Sequence, residues 1–137
     1  MHPIVEISLV IFLYMTLIFV LAQLLKDNSI VDIYWGLGFI LVSGYSLLSG
    51  MSPNLHKILM NIAVVIWGLR LSFYIMLRAI RRGEEDFRYK AWRDTWSNFL
   101  LRSFLQIFML QGVFMLIIAL PVYFVNYNPP IELVPVN

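Results

Sequence analysis

Residues able to do chemistry are scarce in this chain, and most fall in or beside one stretch, Trp67 to Trp96. That stretch starts inside an apolar run, holds Arg70 within it, and then carries most of the charge. Asp32 and Arg70 are the sharpest pair. An ionisable group inside a membrane span normally faces the bundle interior and has a partner. Asp32 opens one apolar run and Arg70 lies in the next, so the two could form a buried ion pair or present an arginine to a phosphate at the mouth of a site. The alternative is that Arg70 snorkels to headgroups while Asp32 caps a helix. Trp67, Arg70, Tyr74, Arg78 and Arg81 recur at spacings of three and four, which lines one helical face with cations and aromatics. Such a face is either an anion site, for a cofactor phosphate or a lipid headgroup, or ordinary anchoring at the membrane interface. Glu84, Glu85 and Asp86 are followed closely by Arg88 and Tyr89. Adjacent carboxylates could do acid–base work, although mixed charge beside a membrane is more often a solvated face.

Several chemistries are excluded or unsupported. The chain has no cysteine, so disulfides, thiolate nucleophiles and cysteine metal sites are impossible. His2 and His56 are far apart with no HExxH-type spacing, so no metal is expected. Neither GxGxxG nor a Walker pattern occurs, which argues against a soluble-type nucleotide fold. The net charge of +2 gives no reason to expect nucleic acid. Gln106 and Gln111 lie within an apolar run and do not share a helical face; a span glutamine more often bonds a neighbouring helix than a substrate.

The elements that must position these residues are membrane helices. The 137 residues are 61% hydrophobic and 13% charged, against about half apolar and a quarter charged for soluble domains. Four apolar runs, residues 4–25, 30–49, 55–77 and 104–125, are long enough to cross a bilayer. The first exceeds a signal-peptide core and is expected to be retained as a span. β-Branched content would favour strands in water, but lipid demands internal backbone hydrogen bonds, which a lone strand lacks. The short first link makes spans one and two antiparallel neighbours. Gly36, Gly38, Ser43 and Gly44 predict that span two packs inside the bundle. Arg70 falls roughly 6 Å from the midplane of span three, where an arginine costs about 2.5–3.5 kcal/mol. Gly83 should end that helix. In the polar loop 78–102, Tyr89, Trp92, Trp96 and Phe99 recur at helical spacing opposite the pairs Asp86–Lys90 and Lys90–Asp94, which predicts a short amphipathic helix in the headgroup zone. The fold expected is therefore all-α, an integral membrane bundle of four transmembrane helices plus that interfacial helix, with an irregular proline-rich tail over 126–137. Lysine and arginine crowd loop 78–102, which places that loop and the first link in the cytoplasm and both termini outside.

Four motifs stand in order along the chain. They are Asp32-Ile-Tyr-Trp-Gly-Leu-Gly-Phe39, Trp67-Gly-Leu-Arg-Leu71, Arg78 with Gly83-Glu-Glu-Asp-Phe-Arg-Tyr89, and Phe108-Met-Leu-Gln-Gly112 with Leu120-Pro121. In this they resemble an uncharacterised, largely bacterial membrane family that is similar to steroid 5-alpha-reductases. The resemblance implies a multi-helix bundle in the bacterial inner membrane and an NADPH-dependent reduction of activated carbon–carbon double bonds in lipid-like substrates. More distant relatives are sterol reductases and isoprenylcysteine methyltransferases. On the matching positions, Asp32, Arg70, Asp86 and Tyr89 form the candidate polar site, and Arg78 and Arg88 the candidate cofactor contacts.

Such proteins run to about twice this length. Their second half carries a Gly-Leu-Trp…Ser-Arg-His-Pro-Asn-Tyr type motif that forms much of the cofactor site, and no such run occurs here. The expectation is an N-terminal part that binds NADPH poorly or not at all alone and needs a second half, such as a separate chain, to act. The competing expectation is a non-catalytic membrane interaction or scaffold protein whose polar loop meets a partner or anionic lipid.

Overall fold

The computed structural model describes residues 2–129. Within them the chain forms α1 (Pro3–Leu25), α2 (Ile30–Ser49), α3 (Leu55–Arg82) and α4 (Phe87–Thr95). A last span, Phe99–Tyr127, follows. It opens as α5 (Phe99–Arg102), passes through a π-helical segment (Ser103–Met109), and continues as α6 (Leu110–Tyr127). No strand occurs among the described residues. Four helices, α1, α2, α3 and Phe99–Tyr127, are long and apolar enough to cross a membrane. The chain is an integral membrane protein.

Local chemistry explains the boundaries of α1, α3 and α4. His2 caps α1 by accepting from the Ile4 amide, and Lys26 closes it in the left-handed conformation, φ 55°. Asn54 caps α3 through its side chain. Gly83 ends α3 at φ 73°, the left-handed value a glycine adopts without strain. That helix runs past the apolar run, which ends at residue 77, to Arg82 and stops at Gly83 as expected, because the basic residues 78, 81 and 82 are good helix formers. Asp86 then caps α4. α6 continues to Tyr127 through Pro121, so Asn126 and Tyr127 are helical instead of belonging to the irregular tail; the rest of that expected tail, from residue 130, lies outside the described residues.

α2 is the helix at the centre of the bundle, as its small residues predict. Gly36 of α2 and Gly68 of α3 meet backbone to backbone: a Cβ on Gly68 would stand 2.6 Å from the Gly36 carbonyl oxygen. Gly38 makes room for Met115 of α6 and Tyr14 of α1. The core is Ile7, Ile11, Met15, Val31, Phe39, Val42, Phe108 and Met115, all at most 6% exposed. Leu17, Leu24, Leu48 and Ile66, by contrast, are more than 60% exposed and form the lipid-facing surface.

The two ends of the bundle are built differently. At one end, link one meets the α3–α4 turn. At the other, Lys57 is 1% exposed, and its ammonium donates to the Asn126 carbonyl at 3.0 Å. Asn61 donates to the Asn126 side chain at 2.9 Å, and Ser43 bonds Asn61. This buried polar knot ties the second link to the end of α6.

Candidate functional site

The gap left by α2, α3, α4 and α6 is a cavity of ≈ 570 Å³. α2 supplies Asp32 and Trp35, α3 supplies Leu71, Ile75, Arg78 and Arg82, and α6 supplies Gln111 and Phe114. The α3–α4 turn and α4 close it with Asp86, Arg88 and Tyr89. One wall is apolar and the rim is cationic.

At its base the Tyr89 hydroxyl donates to Asp32 Oδ1 at 2.9 Å. The Arg88 guanidinium stands 3.5 Å from Asp32 Oδ2. Tyr89 reaches this position because α4 turns it inward: it is only 4% exposed, with its ring edge-on to Trp92. Tyr89 therefore turns the start of the predicted aromatic stripe into the cavity while its ring keeps contact with Trp92. The stripe itself breaks where α4 ends at Thr95 and Asn98 turns the chain at φ 52°. Trp92 and Trp96 remain stacked, 5.1 Å apart. Burial and the Asp32 charge push the Tyr89 phenol well above its ordinary range, with Gln111 acting in the opposite direction. The group stays protonated and acts as a donor.

The rim is pinned by a second set of contacts. Burial alone would raise the Asp86 carboxyl, but hydrogen bonds from the Arg88 side chain and backbone hold it below the usual carboxylate range. Arg88 Nε lies 3.0 Å from Asp86 Oδ1, and Arg82 lies 3.5 Å from Oδ2. Glu85, 8% exposed, takes a two-pronged contact from Arg93 at 3.0 and 3.1 Å and accepts the Asn28 amide at 2.9 Å. Asn28 in turn bonds Gln23 and Ser103. The turn before α4 is thus fastened to the link between α1 and α2.

Of the residues singled out in the sequence, Asp32, Arg78, Asp86, Arg88 and Tyr89 line this one cavity. Arg70 does not, and the expected Asp32–Arg70 pair does not form: Asp32 bonds Tyr89 and Arg88 instead. The reason is the face of α3. Lys57, Asn61, Gly68 and Ser72 are its buried positions, and Arg70, two residues past Gly68, points about 200° away at 3.6 residues per turn. Arg93 went unselected because its contact with Glu85 joins separate elements and leaves no periodic trace, while Glu85 and Trp35 stood inside quoted motifs without entering the candidate site. Gln111 stood inside a quoted motif, yet span glutamines usually bond a helix.

The residues can hold an anion only in part. Arg82 and Arg88 already face Asp86, which leaves Arg78 as the rim cation outside those ion pairs. Among the described residues no group of three or more His, Asp or Glu side chains converges on a metal-sized site. Together the cavity offers a hydrogen-bond donor at its base, positive charge at its mouth and hydrocarbon along one side.

A family model described as protein of unknown function, DUF1295, matches residues 18–136. No curated protein and no solved structure matches the chain.

Proposed function

The chain belongs to the DUF1295 family, and from that premise we propose that it is the N-terminal membrane part of a steroid 5-alpha-reductase-like, NAD(P)H-dependent reductase of lipid-like enones. The observation that supports this is the Tyr89–Asp32 hydrogen bond at the base of a cavity with one apolar wall. An enone carbonyl lodged beside Asp32 would compete for the Tyr89 proton and be polarised by it. Asp32 would orient the phenol, and Arg88 would stabilise Asp32 when the proton turns to substrate. Trp35, Leu71, Ile75 and Phe114 would take the hydrocarbon body. The nicotinamide, when bound, supplies the hydride for the β-carbon of the enone. Arg78, the rim cation outside the ion pairs, would face its phosphates, with Arg88 held by Asp86 and most of the cofactor site furnished by a companion half.

The rim and the first link are assigned to the cytoplasm. Lys57, the one basic residue of the opposite link region, is folded into the polar knot and does not compete with the cationic end. With no native cysteine, Lys90→Cys should react with an impermeant maleimide only after the cytoplasmic face is opened.

The test of function is NADPH oxidation by vesicles holding this chain with a protein carrying the family's C-terminal half, supplied with a steroid enone. Turnover that requires both chains is expected. Micromolar NADPH binding by this chain alone would contradict the division of labour. Absence of turnover with folded partners would leave the second reading, a non-catalytic interaction protein, which the outward groove around Arg70 favours.

A further inference from the structure

We propose that the outward face of α3 around Arg70 docks a further membrane-spanning helix that presents a carboxylate at the level of Arg70. The face is a groove of ≈ 520 Å³ lined by Trp67, Arg70, Leu71, Phe73, Tyr74 and Leu77. Phe73 is 57% and Tyr74 64% exposed. An arginine within a span faces a bundle interior or a polar partner, yet Arg70 faces away from the bundle this chain forms. The ion pairs of the described residues engage Arg82, Arg88, Lys90 and Arg93, not Arg70.

Snorkelling does not resolve this. The near polar rim begins at Arg78, eight residues or about 12 Å further along α3. Helical side chains lean toward the N-terminus of their helix, which here is the far side of the membrane. Arg70 would have to reach against its own Cα–Cβ direction. A lipid phosphate at the rim is too distant for the same reason. A second copy in the same orientation would bring like charge to like depth. A helix bearing a carboxylate satisfies both the charge and the groove.

Continuity with the cavity strengthens the assignment. Leu71 lines the groove and the cavity alike, so a helix seated on Arg70 would also wall the cavity beside Arg78. This rests on the reading that the unit works with a further membrane segment, but not on the reaction assigned to it.

The absence of cysteine allows a donor fluorophore on Ser52→Cys. The labelled protein in phosphatidylcholine vesicles is mixed with a synthetic leucine–alanine span carrying an acceptor and one glutamate at the depth of Arg70, or leucine there. Energy transfer should appear at about tenfold lower peptide density for the glutamate span. The preference should persist in Arg70→Lys and vanish in Arg70→Gln. Equal association of the two spans, or a preference retained in Arg70→Gln, overturns the proposal. So does abolition of the preference by phosphatidylglycerol, which would make a lipid the occupant, or blockage of the face by self-association. No cofactor or substrate is present, so failure here and failure of the reductase assay are separate results.

Discussion

The Tyr89 hydroxyl and the Asp32 carboxylate, 57 residues apart in sequence, meet at 2.9 Å. The contact joins the polar loop to the first turn of the second span. It exists because α4 is fastened down by Asp86 and Glu85, and because α2 and α3 cross closely enough to bring the α3–α4 turn over the start of α2. The candidate site thus depends on two structural features away from it: a glycine crossing and a carboxylate clasp.

The glycine crossing is tested by adding one methyl group. Gly36→Ala or Gly68→Ala places a Cβ against the opposing backbone and should cost about 1–3 kcal/mol through overpacking. Gly44→Ala, where a Cβ meets nothing within 4 Å, should be neutral or stabilise slightly. Thermal melts in detergent compare the three.

The clasp is tested at Glu85. Glu85→Gln weakens the Arg93 contact and the bond to the Asn28 amide. It should cost about 1.5–3 kcal/mol, the range for hydrogen bonds to charged groups, and raise amide exchange across residues 83–95. Glu84→Gln loses only an exposed pair with Lys90 and should change stability by less than about 1 kcal/mol.

Asp86 sets the acid limit of the same region. Its carboxyl lies below the ordinary value of 3.8 in the folded protein. A depressed group stabilises the fold above its unfolded value, and that contribution disappears as pH falls through the folded value. Protection at α4, taken as the exchange rate relative to the intrinsic rate at each pH, should therefore hold steady down to about that ordinary carboxylate value and fall below it. In Asp86→Asn this acid-dependent component should be absent.

Much of the fold was legible because lipid leaves a chain few options: apolar runs of sufficient length had to be helices, and the small residues of α2 had to be interior. The site was legible in its members but not its pairing. Asp32, Tyr89 and Arg88 stood out by type, whereas Arg70 was matched to Asp32 because neighbouring spans suggested it. Which face of α3 turns inward was decided by Gly68, a backbone contact that charge patterns do not reveal. Lys57 and Asn126 were hidden for a related reason. A lysine in a short link looks like a loop charge, and only the fold shows it donating to carbonyls of the second link and of α6.

The most direct measurement is kcat for enone reduction in vesicles holding both halves, compared among wild type, Tyr89→Phe, Asp32→Asn and the double variant. Each single change should lower kcat by about 10²–10⁴, the span of a positioned proton donor. The double variant should fall little further, because the two groups act as one unit. A Tyr89→Phe protein that turns over at the wild-type rate would contradict the account.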